Sequence, residues 1–259
     1  VLYGLGNGKF LVPKIYSTGV NSDPSSLAIG DFDNDGRQDF VVSNSKKNNI
    51  GIMLQDKSEP FGKQTKYSTG DDSSPFSVVV SDFNHDDQLD IAVANSKANN
   101  IGIFLGHGDG RFTLHKTYST DLYSAPVSIA VEDFNHDEQL DIVVVNSNKS
   151  NVCIFLGNED GDFTFLQCYV TGQSSEPSSV AVADLNKDNQ TDIVVANSGT
   201  DNVLVFFGLD NGTFSSPMSY SLDYESHPTS VAIGDINNDT LLDIVVANYV
   251  LKRIPAEES

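Results

Sequence analysis

The apolar residues of this chain fall in short runs, four to a period, and the period is 51 residues. In the third copy the runs are Val127–Val131, Ile142–Asn146, Val152–Leu156 and Phe163–Val170. They are rich in β-branched and aromatic residues and bounded by Gly, Pro, Asn, Asp and Ser, the pattern of strands joined by turns. Ile142–Val145 shows no polar alternation, as expected of a strand covered on both faces. No long stretch repeats its apolar residues every 3.6 positions, so no helix is expected. Phe10, Phe61, Phe112, Phe163 and Phe214 keep the same step. So do Tyr16, Tyr67, Tyr118, Tyr169 and Tyr220.

Four strands in a period near 50 residues predict a propeller blade. The expected fold is all-β: a β-propeller of five four-stranded blades, one domain over residues 1–259. The strands Val231–Ile236 and Ile244–Asn248 are expected to share a blade with Val1–Gly4 and Phe10–Ser17. That pairing would close the ring and remove exposed edges. The competing reading, an excerpt from a longer array, stays open, because Pro255 interrupts the strand expected there.

Between the first two strands of each period lies an Asp-rich nonapeptide. It reads DFDNDGRQD from Asp31, DFNHDDQLD from Asp82, DFNHDEQLD from Asp133, DLNKDNQTD from Asp184 and DINNDTLLD from Asp235. Positions 1, 3, 5 and 9 offer side-chain oxygens and position 7 a backbone carbonyl. The candidate ligands are Asp31, Asp33, Asp35, Arg37 and Asp39; Asp82, Asn84, Asp86, Gln88 and Asp90; and Asp133, Asn135, Asp137, Gln139 and Asp141. The last two sets are Asp184, Asn186, Asp188, Gln190 and Asp192, then Asp235, Asn237, Asp239, Leu241 and Asp243. An all-oxygen set suits Ca²⁺, up to five ions, over zinc or copper. An EF-hand does not fit, since position 12 is apolar and the flanks are strands.

The segment Pro-x-Ser-Val-Ala-Val-x-Asp-Phe-Asn-x-Asp-x-x-x-Asp-Ile-Val-Val-Ala-Asn-Ser resembles the FG-GAP/VCBS-type repeat, found also in integrin α-subunit propellers. The resemblance covers essentially the whole chain and implies a β-propeller with calcium between the first two strands of each blade. That family places Gly at position 6 of the loop, which only Gly36 keeps. Asp87, Glu138, Asn189 and Thr240 replace it, so the third and fifth loops are expected to bind most weakly. The family's Phe-Gly and Gly-Ala-Pro are replaced here by Pro-x-Ser and Ala-Asn-Ser.

The formal net charge is −21, and 16 of the 36 acidic residues sit at positions 1, 3, 5 and 9 of these loops. Carboxylates about 5 Å apart repel by roughly 3 kcal/mol per pair at an effective dielectric of about 20, so the loops need a cation to form well. No basic stripe exists to neutralise phosphates, which argues against nucleic acid. No apolar run is long enough to span a membrane. Cys153 and Cys168 face each other if strands three and four turn at Asp160-Gly161; a disulfide and two buried thiols are both open. His85 and His136 hold position 4 of their loops, read as a solvent-facing tip, and His107, His115 and His227 accompany no nucleophile motif. Sequons open at Asn148, Asn189, Asn211 and Asn238.

Metal loops and Gly-rich hairpins such as Gly106–Gly110 share one face of the disc. The loops on the other face vary most within the chain: Val20–Asp23, Asp71–Ser74, Asp121–Ala125, Gln173–Glu176 and Asp223–His227. Tyr123 and Tyr224 stand out there as residues that could stack on a sugar or peptide. The expected function is a calcium-stabilised extracellular recognition or adhesion module, secreted or part of an ectodomain, and not an enzyme. Its partner would be an extracellular protein or glycan. The alternative is a lectin-like propeller, or a propeller of a polysaccharide-active enzyme.

Overall fold

The computed structural model describes residues 1–57 and 61–249. The first sheet comprises β1 (Pro24–Gly30), β2 (Asp39–Asn44), β3 (Asn49–Met53) and β4 (Thr65–Ser68). The second comprises β5 (Pro75–Ser81), β6 (Asp90–Asn95), β7 (Asn100–Gly106) and β8 (Phe112–Ser119). The third comprises β9 (Pro126–Glu132), β10 (Asp141–Asn146), β11 (Asn151–Gly157) and β12 (Phe163–Val170). The fourth comprises β13 (Pro177–Ala183), β14 (Asp192–Asn197), β15 (Asn202–Phe206) and β16 (Met218–Ser221). A fifth, two-stranded sheet pairs β17 (Pro228–Gly234) with β18 (Asp243–Asn248). Each four-stranded sheet is antiparallel and ordered as in the chain, the meander of a propeller blade.

The second strands β6, β10 and β14 are buried at every residue, as their unbroken apolar runs require. The core is a series of inter-blade layers. Val41 and Ile50 of the first blade pack with Ile91, Val93 and Phe104 of the second, and similar layers follow between each later pair. Each fully buried Ile or Val contributes about 1.5–3 kcal/mol relative to exposure. Two 3-10 turns, Ser45–Lys47 and Ser147–Lys149, are the helical segments among the described residues. Cys153 and Cys168 are opposite residues of β11 and β12 and form a disulfide, with Cα atoms 4.0 Å apart.

The N-terminal segment departs from expectation. Val1–Gly4 and Phe10–Ser17 are not regular strands; a bridge at Gly4 and Phe10 and bonds from Leu11 N–H to Tyr3 O (2.8 Å) and Lys14 N–H to Val1 O (3.0 Å) make a hairpin. The hairpin docks on the first blade as outer strands do elsewhere. Tyr16 meets Phe61 edge-on at 5.2 Å, as Tyr67 meets Phe112 at 5.9 Å. β18, however, has no second partner strand among the described residues, so the closing blade is not assembled. In the repeat register Val1 and Leu2 would lie opposite Val245 and Ile244, and the other partners of β18 would fall outside the described residues. Val1 and Leu2 are 47% and 56% exposed where their repeat equivalents Ile103 and Phe104 are buried. An open cleft of about 670 Å³ lies between Val1 and the first-blade residues Leu27, Phe40 and Val42. The continuation at Pro255 lies outside the described residues.

Candidate metal centres

Each Asp loop is tied at both ends by its own carboxylates. The Asp at position 9 opens the second strand and is buried: Asp39, Asp90, Asp141 and Asp192. Its two oxygens accept two backbone N–H groups, one from position 2 of the loop and one from the end of the third strand. For Asp90 these are Phe83 (2.9 Å) and Gly106 (2.8 Å); for Asp141, Phe134 and Gly157, both 2.9 Å. Burial nevertheless dominates, and it pushes Asp90 and Asp141 up to about 6.

The Asp at position 1 accepts the N–H groups of positions 5 and 6, as Asp82 does from Asp86 (3.2 Å) and Asp87 (2.9 Å). Asp235 does the same for Asp239 and Thr240. This curl demands left-handed backbone twice. Position 4 has φ 56–62° in Asn34, His85, His136, Lys187 and Asn238. Position 6 has φ 82° at Gly36, 67° at Glu138 and 71° at Thr240. A β-branched residue is the least suited to that region, so Thr240 carries the most strain.

In the first loop, carboxylate oxygens of Asp31, Asp33 and Asp39 lie within 4.8 Å of one another. Asp33 Oδ1 is shielded from solvent and receives no hydrogen bond. An orphaned, buried, anionic oxygen between two further carboxylates is what a hard cation satisfies, so these residues fit Ca²⁺. Asp35 pairs with the Arg37 guanidinium. In the next three loops Asn replaces Asp33. There the Nδ2 of Asn84, Asn135 and Asn186 donates to Asp86, Asp137 and Asp188 at 3.1, 2.9 and 2.8 Å. The fifth loop is the most open: Ile236 is 68% exposed. Phe32, Phe83 and Phe134 at that position are buried against Phe112, Phe163 and Phe214 of the following blade.

Two features escaped the sequence. Position 4 faces solvent in all five loops, as expected, yet two of its side chains reach the next loop: Asn34 Nδ2 donates to Gln88 Oε1 (2.5 Å), and His136 Nε2 meets Gln190 Oε1 (3.1 Å). In these two loops position 4 thus touches position 7 of the next, a pairing across 54 residues that no local motif displays. The hairpins of the following blade cover the loops too, Gly110 N–H donating to Phe32 O at 2.8 Å. On the other face, the variable loops share one backbone. Each holds two left-handed residues, such as Tyr123 and Ala125 or Glu225 and His227, around a buried Ser. Tyr123 and Tyr224 are 77% and 86% exposed there. Of the histidines, His115 Nε2 bonds Asp162 (2.9 Å) and His107 Nε2 bonds Thr113 (2.8 Å).

The FG-GAP-like repeat family matches the chain in five overlapping windows, residues 1–42, 31–93, 82–144, 133–195 and 184–246. No curated protein matches it by sequence. Among solved structures, a virginiamycin B lyase from Staphylococcus aureus superposes with TM-score 0.60 at 19% identity, over 87% of this chain and 64% of that one. A periplasmic gluconolactonase from Pseudomonas aeruginosa gives TM-score 0.61 at 15% identity, over 77% of this chain and 54% of that one. A protein from Lactobacillus plantarum gives 0.63 at 13% identity, over 87% and 64%. The chain therefore spans less than two thirds of the length of these proteins. The expectation that the chain is not an enzyme is corrected here: a lyase and a lactonase carry the same fold, so the fold supplies no ground for excluding catalysis.

Proposed function

Because the chain belongs to the FG-GAP-like repeat family, we propose that its Asp loops hold Ca²⁺ and that the braced blades present a carbohydrate-binding surface. Asp33 Oδ1, buried without a donor beside Asp31 and Asp39, carries the metal reading. Positions 1, 3, 5 and 9 of each loop would supply side-chain oxygens, and Arg37, Gln88, Gln139, Gln190 and Leu241 a backbone carbonyl. A bound ion would cancel the repulsion among these carboxylates and stiffen the hairpin between the first two strands of each blade. Calorimetric titration of chelator-treated protein with Ca²⁺ tests this; no heat of binding and an unchanged melting temperature would reject it.

For the ligand, a carbohydrate or sugar acid is favoured over a protein adhesion partner. The support is that a gluconolactonase shares the fold, together with the exposed rings of Tyr123 and Tyr224 on the face opposite the metal loops. A glycan array tests binding. The second reading is catalysis on such a ligand, tested by following sugar-lactone opening in a pH-stat. Silence in both assays with capture of an extracellular protein would return the chain to the adhesion class, which a secreted or ectodomain setting would suit.

Ring closure by Val1–Gly4 beside β18 belongs to the same proposal. It is supported by the half-exposed Val1 and Leu2, whose counterparts in other blades are buried. Leu2→Cys with Ile244→Cys would then cross-link within one molecule; no cross-link means an open arc.

A further inference from the structure

The first loop differs in charge from the other four at positions 3 and 7. Position 3 is Asp33 where the others have Asn84, Asn135, Asn186 and Asn237, and position 7 is Arg37 where the others have Gln or Leu. The extra anion and the extra cation arrive together, and the structure shows how they meet. Arg37 is held from both sides: Nε donates to the backbone carbonyl of Gln55 at 3.0 Å, and a terminal nitrogen pairs with Asp35. Both partners of that pair are largely shielded, with about a quarter of each side chain exposed (26% and 24%). Asp35 also accepts the Arg37 backbone N–H at 2.9 Å. Its Oδ2 is therefore engaged by a guanidinium, while its Oδ1 accepts the backbone N–H.

We propose that Arg37 is a built-in counter-ion of the first loop, occupying Asp35 so that the loop stays assembled without metal and takes up a divalent cation more weakly. The inference rests on the metal reading above. One observation and two chemical arguments support it. The first loop alone brings three carboxylates within 4.8 Å among the described residues, although it has the most anions to repel one another. A guanidinium cannot be deprotonated in a protein, so the neutralisation persists at any working pH. An incoming Ca²⁺ must displace the guanidinium from Asp35 Oδ2 or bind this carboxylate beside a fixed positive charge. Cation affinity in oxygen cages follows ligand charge, and a fixed positive charge beside the cage lowers it.

The consequence is a division of labour. The second, third and fourth loops, with Gln at position 7, would respond to calcium concentration, whereas the first would hold its blade in shape when calcium is scarce.

Terbium(III), a hard ion with the same preference for oxygen, can report on the first loop alone. The chain has no tryptophan, and position 4 accepts Asn, His and Lys, so Asn34→Trp supplies a single indole sensitiser there. In that background Arg37→Gln should tighten indole-sensitised terbium binding roughly tenfold or more, by the effect of local charge on oxygen-cage affinity. Arg37→Lys, which keeps the charge but loses the fork that grips Gln55 and Asp35, should fall between. Calorimetry with Ca²⁺ on the unmodified chain and on Arg37→Gln alone separates the possible failures. If Ca²⁺ binds the chain but neither calorimetry nor luminescence distinguishes Arg37→Gln, Arg37 is not a counter-ion and the inference is wrong. If neither ion binds at all, the metal reading itself is wrong.

Discussion

Tyr118, in the outer strand of the second blade, accepts the backbone N–H of Phe163 in the third blade at 2.9 Å. The relationship recurs from Tyr169 to Phe214 at 2.7 Å and from Tyr67 to Phe112 at 3.3 Å, always with the two rings edge to face. Each phenol therefore stitches one blade to the next where the backbone N–H would otherwise lack an acceptor. Tyr169→Phe should cost about 1–2 kcal/mol, the penalty of stranding a part-buried donor. Thermal denaturation should register a fall of roughly 2–8 °C. Tyr220, half exposed at the same repeat position with no such bond among the described residues, is the internal control: Tyr220→Phe should leave the midpoint unchanged in an open arc and lower it only where the ring closes on Phe10.

Thr240 and Glu138 hold left-handed backbone that Gly36 adopts without a Cβ. Thr240→Gly and Glu138→Gly should each stabilise the protein by about 1 kcal/mol in urea denaturation, Thr240 the more. Asn189→Gly should change little, since Asn tolerates that region. Equal effects at all three positions would remove strain as the reason for ranking the loops.

The pH response of the metal-free protein follows from Asp90 and Asp141, both raised from 3.8 to about 6. Between the two values the folded state binds more protons than the unfolded chain, so stability falls as pH rises through that window. Chelated protein should therefore melt higher at about pH 4.5 than at about pH 7. Asp162 acts in the opposite sense and lower down: Lys116 first, then Tyr118, hold it at about 2, so its contribution is lost as pH falls below its ordinary range. Calcium should reverse the upper trend, because ligation needs ionised carboxylates and releases protons. Paired melting curves with and without calcium check both signs.

The Cys153–Cys168 bridge closes a 15-residue separation. Opening it with reductant should cost about 3 kcal/mol by the loss of the constraint on the unfolded chain. The Cys153→Ser/Cys168→Ser pair should reproduce that loss, and reductant should then have no further effect on the melting curve.

Most of the strand positions could be read from the chain, because burial on both faces leaves a run such as Ile142–Val145 without polar residues. The loops were equally legible, since a repeated Asp cannot hide in a 51-residue period. What stayed hidden depends on partners far apart in sequence. The touch of Asn34 on Gln88, and of His136 on Gln190, needs two blades side by side before it exists. The grip of Arg37 on Asp35 is invisible for another reason: the repeat pattern gives position 7 a role only through its backbone carbonyl. The expected closing strands are not formed among the described residues, where Val1 and Leu2 stay half exposed beside an unpartnered β18, which apolar content alone does not reveal.

The phenol stitches have one more outcome for the molecule as a material. Since every bond of that kind joins a blade only to its immediate neighbour, mechanical load travels from link to link like tension along a chain of clasps. A defect in one clasp weakens two blades and leaves the remainder in its original shape.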